Sequence, residues 1–368
     1  MRSCGTVISK TVDGQSNVSC IADLFANKYR DLYTSIPRDE IDMRQVMSEL
    51  RAQLQITPFD GDCLFSFVEN KEAISKLKRN KKDGSVGLSS DYIINAGDEC
   101  LTYIAFLFSL ITVHGVFPDT FKTCTIIPIP KRRNVNASDS ANYRGIALSS
   151  IFGNFFDNVI LLRYHDELIS SELQFGFKAK HSTNHCTMIL KETIAYYVRN
   201  QSSVFCTFLD ASKAFDRVQY SKLFRLLIKR KLPVVIIRVL VNLYMGNFVR
   251  VGWCGVFSDY FLATNGVKQG GVLSPVLFCV YIDDMLLALS KVGVGCYIGN
   301  VFAGALAYAD DIVLIAPSAC AMRKLLNVCD NYANEYHIMF NAEKSKCLAF
   351  LSKNRRYLSE HLINAWSF

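Results

Sequence analysis

The sequence predicts an α+β fold centred on a split βαβ, ferredoxin-like antiparallel sheet. Three observations predict it. Residues 204–209 form a near-continuous apolar run that stops at Asp210, as in a strand covered on both faces. Residues 307–316 are apolar on either side of Asp310-Asp311, which reads as a hairpin with both acids at its tip. Around these two stretches the elements run strand, helices, strand, helix, hairpin, helix, strand. In such a core the strand ending at Asp210 lies beside the hairpin, and Asp210 faces Asp310.

The elements follow from period and punctuation. Leu24, Phe25, Tyr29, Leu32 and Tyr33 recur at helical spacing in a helix over 21–33, and a second helix covers 44–55. A helix over 65–79 runs into a basic, glycine-punctuated loop, 80–87. The apolar run 101–117 contains Thr102, Ser109, Thr112, His114 and Gly115 and ends at Pro118. It falls short of the roughly 20 apolar residues of a membrane span, so it reads as a buried helix, 101–114. A strand, 123–129, is closed by Pro130-Lys131-Arg132-Arg133, and a polar loop, 134–142, leads to a helix over 151–162. Helices over 184–198, 221–231 and 234–244 follow, the last two parted by Pro233. Residues 248–254 and 260–264 pair as strands. A glycine-rich loop, 266–271, opens a helix over 275–289; a helix over 322–336, a loop over 341–346 and a strand over 347–350 close the series.

Composition narrows the function. Half of the 368 residues are apolar and a fifth charged, as in a soluble globular protein of two or three domains. A formal net charge of +8 suits a polyanionic partner. The basic residues cluster at Lys76, Lys78, Arg79, Lys81 and Lys82, at Lys131, Arg132 and Arg133, and at Lys229, Arg230 and Lys231; each cluster also reads as a solvated face. The 13 cysteines contain no C-x-x-C pair, which argues against a zinc ribbon or a disulfide framework. His181, His185 and Cys186 have no matching ligand pair and read as structural. No secretory signal opens the chain. The expected setting is nuclear or cytoplasmic, with no membrane; the sequence sets no oligomeric state.

Asp210, Asp310 and Asp311 carry the chemistry. Three carboxylates at one sheet edge repel unless a cation lies between them, and their hard oxygens suit Mg²⁺, with Mn²⁺ as a substitute. A pair of such ions would serve an in-line phosphoryl displacement. The same residues also read as a solvated Asp-Asp turn and an unrelated strand-end Asp.

The motifs resemble one family. Phe208-Leu209-Asp210-Ala211-Ser212-Lys213-Ala214-Phe215-Asp216 is similar to the L-D-x-x-K-A-F-D signature of reverse transcriptases. The stretch from Gly266-Val267-Lys268-Gln269-Gly270 to Leu273-Ser274-Pro275-Val276-Leu277-Phe278 resembles their G-V-x-Q-G-x-x-L-S-P-x-L-F block, and Tyr308-Ala309-Asp310-Asp311 their Y-A-D-D hairpin. Asn341 to Lys344-Ser345 resembles N-x-x-K-[ST], Gln174-Phe175-Gly176-Phe177 resembles Q-x-G-F, and Pro130-Lys131 with Tyr143-Arg144-Gly145-Ile146-Ala147-Leu148 resembles P-K and Y-R-P-I-S-L. The subtype is that of non-LTR (LINE-type) retrotransposons, over residues 20–350.

The resemblance implies a right-hand polymerase with the split βαβ sheet as its palm. Residues 1–60 would be a helical linker, 61–203 the fingers, 204–352 the palm with a helical insertion at 216–247, and 353–368 the truncated start of a thumb connection. It implies metal binding by Asp210, Asp310, Asp311 and the Ala211 carbonyl. Phe215 becomes a steric gate against a ribose 2′-hydroxyl, or a plain core residue. Lys131 and Arg144 grip the triphosphate, Gln269 and Gly270 brace the incoming nucleotide, and Lys344 is the general acid for pyrophosphate, or a solvated loop lysine. The implied partners are an RNA template, a DNA primer and dNTPs. Asp283-Asp284 mimics the catalytic pair within a helix and reads as a solvated face or cap. Gly145 stands where the family has Pro, which should loosen that finger loop. With the thumb largely absent, two readings compete: an RNA-directed DNA polymerase, and an inactive remnant that only binds nucleic acid or partners.

Overall fold

The computed structural model describes residues 9–56, 64–84, 87–132 and 135–352. Residues 85–86 of the basic loop, Arg133, Asn134 and the expected thumb connection at 353–368 lie outside the described residues. Eleven strands form among those described: β1 (Thr123–Pro130), β2 (Tyr143–Leu148), β3 (Val204–Asp210), β4 (Phe248–Trp253), β5 (Val256–Phe257), β6 (Phe261–Leu262), β7 (Tyr297–Ile298), β8 (Val301–Phe302), β9 (Ala305–Tyr308), β10 (Asp311–Ala316) and β11 (Lys346–Phe350). The chain divides into two compact units, residues 1–168 with 215–274, and 169–214 with 275–368. β4 runs parallel to β1, which ties the segment after 215 into the first unit.

The first unit is built on the sheet β2-β1-β4, extended by β5 and β6, each antiparallel to β4. The helix Val18–Tyr33 starts where Asn17 accepts hydrogen bonds from the Ser19 and Cys20 amides. Its apolar positions Ile21, Phe25, Tyr29 and Tyr33 recur every four residues and are buried in one core with Ile126, Tyr143, Val251 and Trp253 of the sheet. Phe25 lies 5.1 Å from the Tyr143 ring and 5.2 Å from Trp253. The apolar run becomes the helix Asp98–His114, ended by Gly115 in the left-handed conformation. Its Phe108 sits 5.1 and 5.0 Å from Phe155 and Phe156 of the helix Ile151–Arg163. Ser109 and Thr112 donate to the carbonyls four residues back, so their hydroxyls are satisfied within the core.

Gly145 corrects a sequence expectation. It is buried inside β2, and a Cβ there would come within 2.8 Å of the Tyr29 ring and of the Ile126 side chain. The glycine makes room for the helix Val18–Tyr33 rather than loosening a loop. Gly145→Ala is therefore expected to overpack this core and destabilise the unit by about 1–3 kcal/mol. Unfolding in denaturant measures it, and an unchanged midpoint would remove the packing argument.

The second unit holds the four-stranded antiparallel sheet β11-β3-β10-β9, the strand order of a split βαβ fold. Side chains alternate between its faces. Phe205 and Leu209 of β3 and Ile312 and Leu314 of β10 are buried with Met285, Leu286 and Leu289 of the helix Ser274–Lys291 and Met322 and Leu325 of the helix Ala319–Tyr336. Val204, Cys206, Val313 and Ile315 enter the opposite core, against Cys186, Leu190 and Ile194 of the helix Thr183–Arg199. Both faces are covered, which explains the unbroken apolar run. Among the described residues no helix is long and apolar enough to cross a membrane.

Candidate active site

Pairing register assembles the acidic residues. Asp311 is the first residue of β10, opposite Asp210 on β3 and opposite Tyr308 on β9. The sequence reading placed both acids of the hairpin at its tip and set Asp210 against Asp310. In the structure the tip is Ala309-Asp310, and Asp311 is the partner of Asp210. Directly opposed residues of an antiparallel pair project from the same face. Asp210, Asp311 and Tyr308 therefore form a row across three strands, on the face that carries Cys206 and Val313 but at its uncovered end. Phe208, two residues earlier on β3, is already 38% exposed.

The 341–345 loop completes the row. Asn341 donates its amide to the Asp210 carbonyl (2.8 Å), and the Ser345 hydroxyl accepts from the Asp210 amide (3.2 Å). The Asn341 side chain accepts from the Lys344 amide (3.1 Å), a local turn that turns Lys344 back towards β3. Lys344 Nζ reaches Asp210 Oδ2 at 3.4 Å. The spacing N-x-x-K-S thus has a mechanical reading: Asn341 shapes the turn, Lys344 meets the carboxylate and Ser345 fastens the loop. Ala211 stands opposite Phe340 in an isolated bridge. On either side of that bridge Asn341 donates to the Asp210 carbonyl and Ser212 to the Met339 carbonyl (2.7 Å), which leaves the Ala211 carbonyl out of that pairing.

The other sequence-derived residues lie in the first unit. Arg144 projects from the open face of β2 opposite Ile129, while Tyr143, Gly145 and Ala147 face the core. Lys131 is exposed just past β1, and its Nζ donates to the Ala141 carbonyl (2.7 Å). Gln269 and Phe215 are brought together by backbone bonds. Val267 donates to the Phe215 carbonyl and Gly266 to the Val218 carbonyl, each at 2.8 Å. The Gln269 carbonyl accepts from the Ala147 amide (2.7 Å), and Gly270, with φ 109, passes so close to β2 that a Cβ would lie 3.0 Å from the Ala147 carbonyl. Phe215 is half-buried.

Sequence reasoning missed Asp216. Its carboxylate is buried and accepts from Gln269 Nε2 (2.8 Å), and its carbonyl accepts from Asn265 Nδ2 (2.6 Å). Burial, then the nearby Asp216 charge, pushes the Tyr33 phenol well above its usual range. The signal was the last letter of the K-A-F-D stretch. Asp283 is a second correction: it is 3% exposed rather than solvated, and its Oδ1 accepts from the Ser171 amide (2.8 Å).

The donor set fits a hard divalent cation. Opposed carboxylates at Asp210 and Asp311 repel without a counter-charge, and oxygen donors are what Mg²⁺ and Mn²⁺ take. Among the described residues no three His, Cys, Asp or Glu side chains are gathered into a ready-made site.

The family described as reverse transcriptase (RNA-dependent DNA polymerase) matches residues 129–362. The chain is 28% identical over 334 residues to the probable RNA-directed DNA polymerase from transposon X-element of Drosophila melanogaster, covering 87% of this chain and 35% of that protein. It is 29% identical over 303 residues to the RNA-directed DNA polymerase from mobile element jockey of Drosophila funebris, covering 78% of this chain and 32% of that one. The chain therefore spans about a third of the length of these curated relatives. Among solved structures, apo telomerase from Candida tropicalis truncated from the C-terminal domain aligns with a TM-score of 0.46 and 14% identity, over 76% of this chain and 60% of that one.

Proposed function

The chain belongs to the reverse transcriptase family, and from that membership we propose that it is the RNA-directed DNA polymerase part of a non-LTR retrotransposon protein. The observation that carries this reading is the Tyr308–Asp311–Asp210 row with Lys344 against Asp210. On this reading residues 61–203 are the fingers and 204–352 the palm, with a helical insertion at 216–247.

Asp210 and Asp311, with Asp310 and the Ala211 carbonyl, would hold Mg²⁺, or Mn²⁺ in its place. When bound, such a cation neutralises phosphate charge and makes a primer 3′-hydroxyl more acidic. The protein supplies the rest. Lys131 and the planar fork of Arg144 bind the triphosphate of a dNTP. Gln269, its amide held by Asp216, braces the incoming nucleotide, and the Phe215 ring excludes a 2′-hydroxyl. Lys344 carries a proton within reach of the carboxylate row and can deliver it to departing pyrophosphate. The exposed cluster Lys76–Lys82 and the exposed Lys229 and Lys231 contact the phosphates of an RNA template and DNA primer. Free thiols at the eleven described cysteines support the reading of a nuclear or cytoplasmic setting.

Primer extension on an RNA template, with dNTPs and Mg²⁺, tests the reading. Template-directed addition is expected, weakening steeply as salt rises because phosphate contacts release counterions. Phe215→Ala should raise ribonucleotide use without lowering dNTP addition to the same degree. Binding of template–primer with no addition by the unaltered chain would replace this reading with the nucleic-acid-binding one.

A further inference from the structure

Gln174 has no exposed surface, and its side-chain amide is engaged by the tip of the Asp310-Asp311 hairpin. Its Oε1 accepts from the Ala309 amide (2.9 Å), and its Nε2 donates to the Ala309 carbonyl (3.2 Å). One planar side chain thus satisfies both backbone groups of a single residue. The second lone pair of Oε1 accepts from the Gly176 amide (2.8 Å), which closes the 174–176 turn around the same point. On either side, Phe175 donates to the Ala307 carbonyl and Ala307 to the Leu173 carbonyl, each at 2.8 Å, so residues 173–175 lie parallel along β9.

Ala309 is the residue that needs such support. The loop between β9 and β10 has two residues, and Ala309, the first, has φ 58 while Asp310 does not share the positive value. A positive φ at such a turn position ordinarily takes glycine, because a Cβ is strained there. Strained backbone persists only where its surroundings hold it. Gly176 is part of the hold: a Cβ on it would sit 2.3 Å from the Ala309 amide nitrogen. A glutamine and a glycine two residues apart therefore enclose one alanine.

We propose that Gln174 is a positioning residue for the hairpin: its amide clamps Ala309 in the left-handed conformation, which sets Asp310 at the turn and Asp311 opposite Asp210. The catalytic consequence rests on the polymerase reading above; the clamp itself does not. A wider consequence is that the Q-x-G-F stretch acts on the acidic hairpin rather than on substrate.

The test compares the unaltered chain with Gln174→Met, Ala309→Gly and the double variant. Amide hydrogen exchange is read for the peptide spanning 305–312 and, as an internal reference, for β11. Gln174→Met is expected to speed exchange in the hairpin about tenfold more than in β11. Adding Ala309→Gly, which adopts the positive φ without strain, should reverse most of that gain, while Ala309→Gly alone changes little. An unchanged hairpin in Gln174→Met, or a double variant exchanging as fast as Gln174→Met, would overturn the clamp. Should Gln174→Met not fold, Gln174→Glu, which keeps Oε1 and loses the Nε2 donor, is read in the same way. In primer extension, kcat should fall with KM for dNTP unchanged and recover in the double variant. A loosened hairpin with unaltered kcat would overturn the positioning role. No extension by the unaltered chain would count against the polymerase reading, and hydrogen exchange would still decide the clamp.

Discussion

Replacing Asp210 by asparagine is expected to slow nucleotide addition by roughly 10²–10³ while leaving the protein as stable as before, or slightly more so. The two effects have one cause. Asp210 and Asp311 are directly opposed on adjacent strands and share a face. Like charges so placed cost a sheet about 0.2–1 kcal/mol. The Lys344–Asp210 pair does little to offset this, because its lysine side chain is 66% exposed and such pairs contribute little. Removing one charge thus relieves the sheet and at the same time removes the donor that a cation and developing phosphate charge need. Loss of a preorganised electrostatic element of this kind costs on the order of 10²–10³ in rate. Denaturation in EDTA should place Asp210→Asn at or above the unaltered protein. Adding Mg²⁺ should then stabilise the unaltered protein more than the variant, since only a state that binds the ion gains from it. A variant that melts several degrees lower in EDTA would mark Asp210 as structural, and retained activity would remove it from the mechanism.

The largest stability effect is expected in the first unit, at Arg163. Its guanidinium holds both oxygens of Glu69 and the Leu64 carbonyl (2.7 Å), and stacks 4.3 Å from the Phe65 ring centroid. Glu69 in turn closes a capping box with Ser66 at the start of the helix Phe67–Ser75. The two side chains are only 16% and 29% exposed. Arg163→Met keeps most of the apolar stem but strands the carboxylate, which costs about 3–5 kcal/mol for a buried pair. The corresponding drop in melting temperature is roughly 10 °C. Acid sensitivity gives a second readout. Burial alone would raise the Glu69 pKa, but Arg163 and Ser66 outweigh it and hold the carboxyl at about 2, against 4.5 when free. A depressed carboxylate adds stability that is complete above about pH 4.5 and is lost as pH falls towards 2. The unaltered protein should therefore lose stability steeply across that window, and Arg163→Met should show a flatter profile. Parallel profiles, or a loss below about 1 kcal/mol, would show that the pair is not holding this end of the unit.

Several features were legible because they depend on a few neighbouring residues. The helix over 21–33 announced itself through apolar residues at helical spacing; the structure buries Phe25, Tyr29 and Tyr33 and leaves Leu24 and Leu32 partly buried against the same core. The run 204–209 had no polar alternate, which is what a strand between two helical layers requires. The apolar stretch 101–117 was interrupted by Ser109 and Thr112, and both hydroxyls bond back within their own helix. The expected ferredoxin-like order also reappears, as β11-β3-β10-β9.

The sequence by itself determined which residue types stand at the ends of which elements: an Asp after the strand run, two Asp in a hairpin, and Lys344 and Ser345 after Asn341. Tertiary structure decided who meets whom. Asp311 rather than Asp310 faces Asp210 because of pairing register between strands about a hundred residues apart, where a one-residue slip exchanges the two. Gly145 is a packing requirement because the Tyr29 ring and the Ile126 side chain lie against it. Asp283 is buried where the Ser171 amide reaches it from 112 positions away. Gln174 bears on Ala309 from 135 positions away. Local propensity acts over a turn of helix or a pair of strand residues, whereas these contacts depend on how distant segments stack, and that is set by the packing of the whole core.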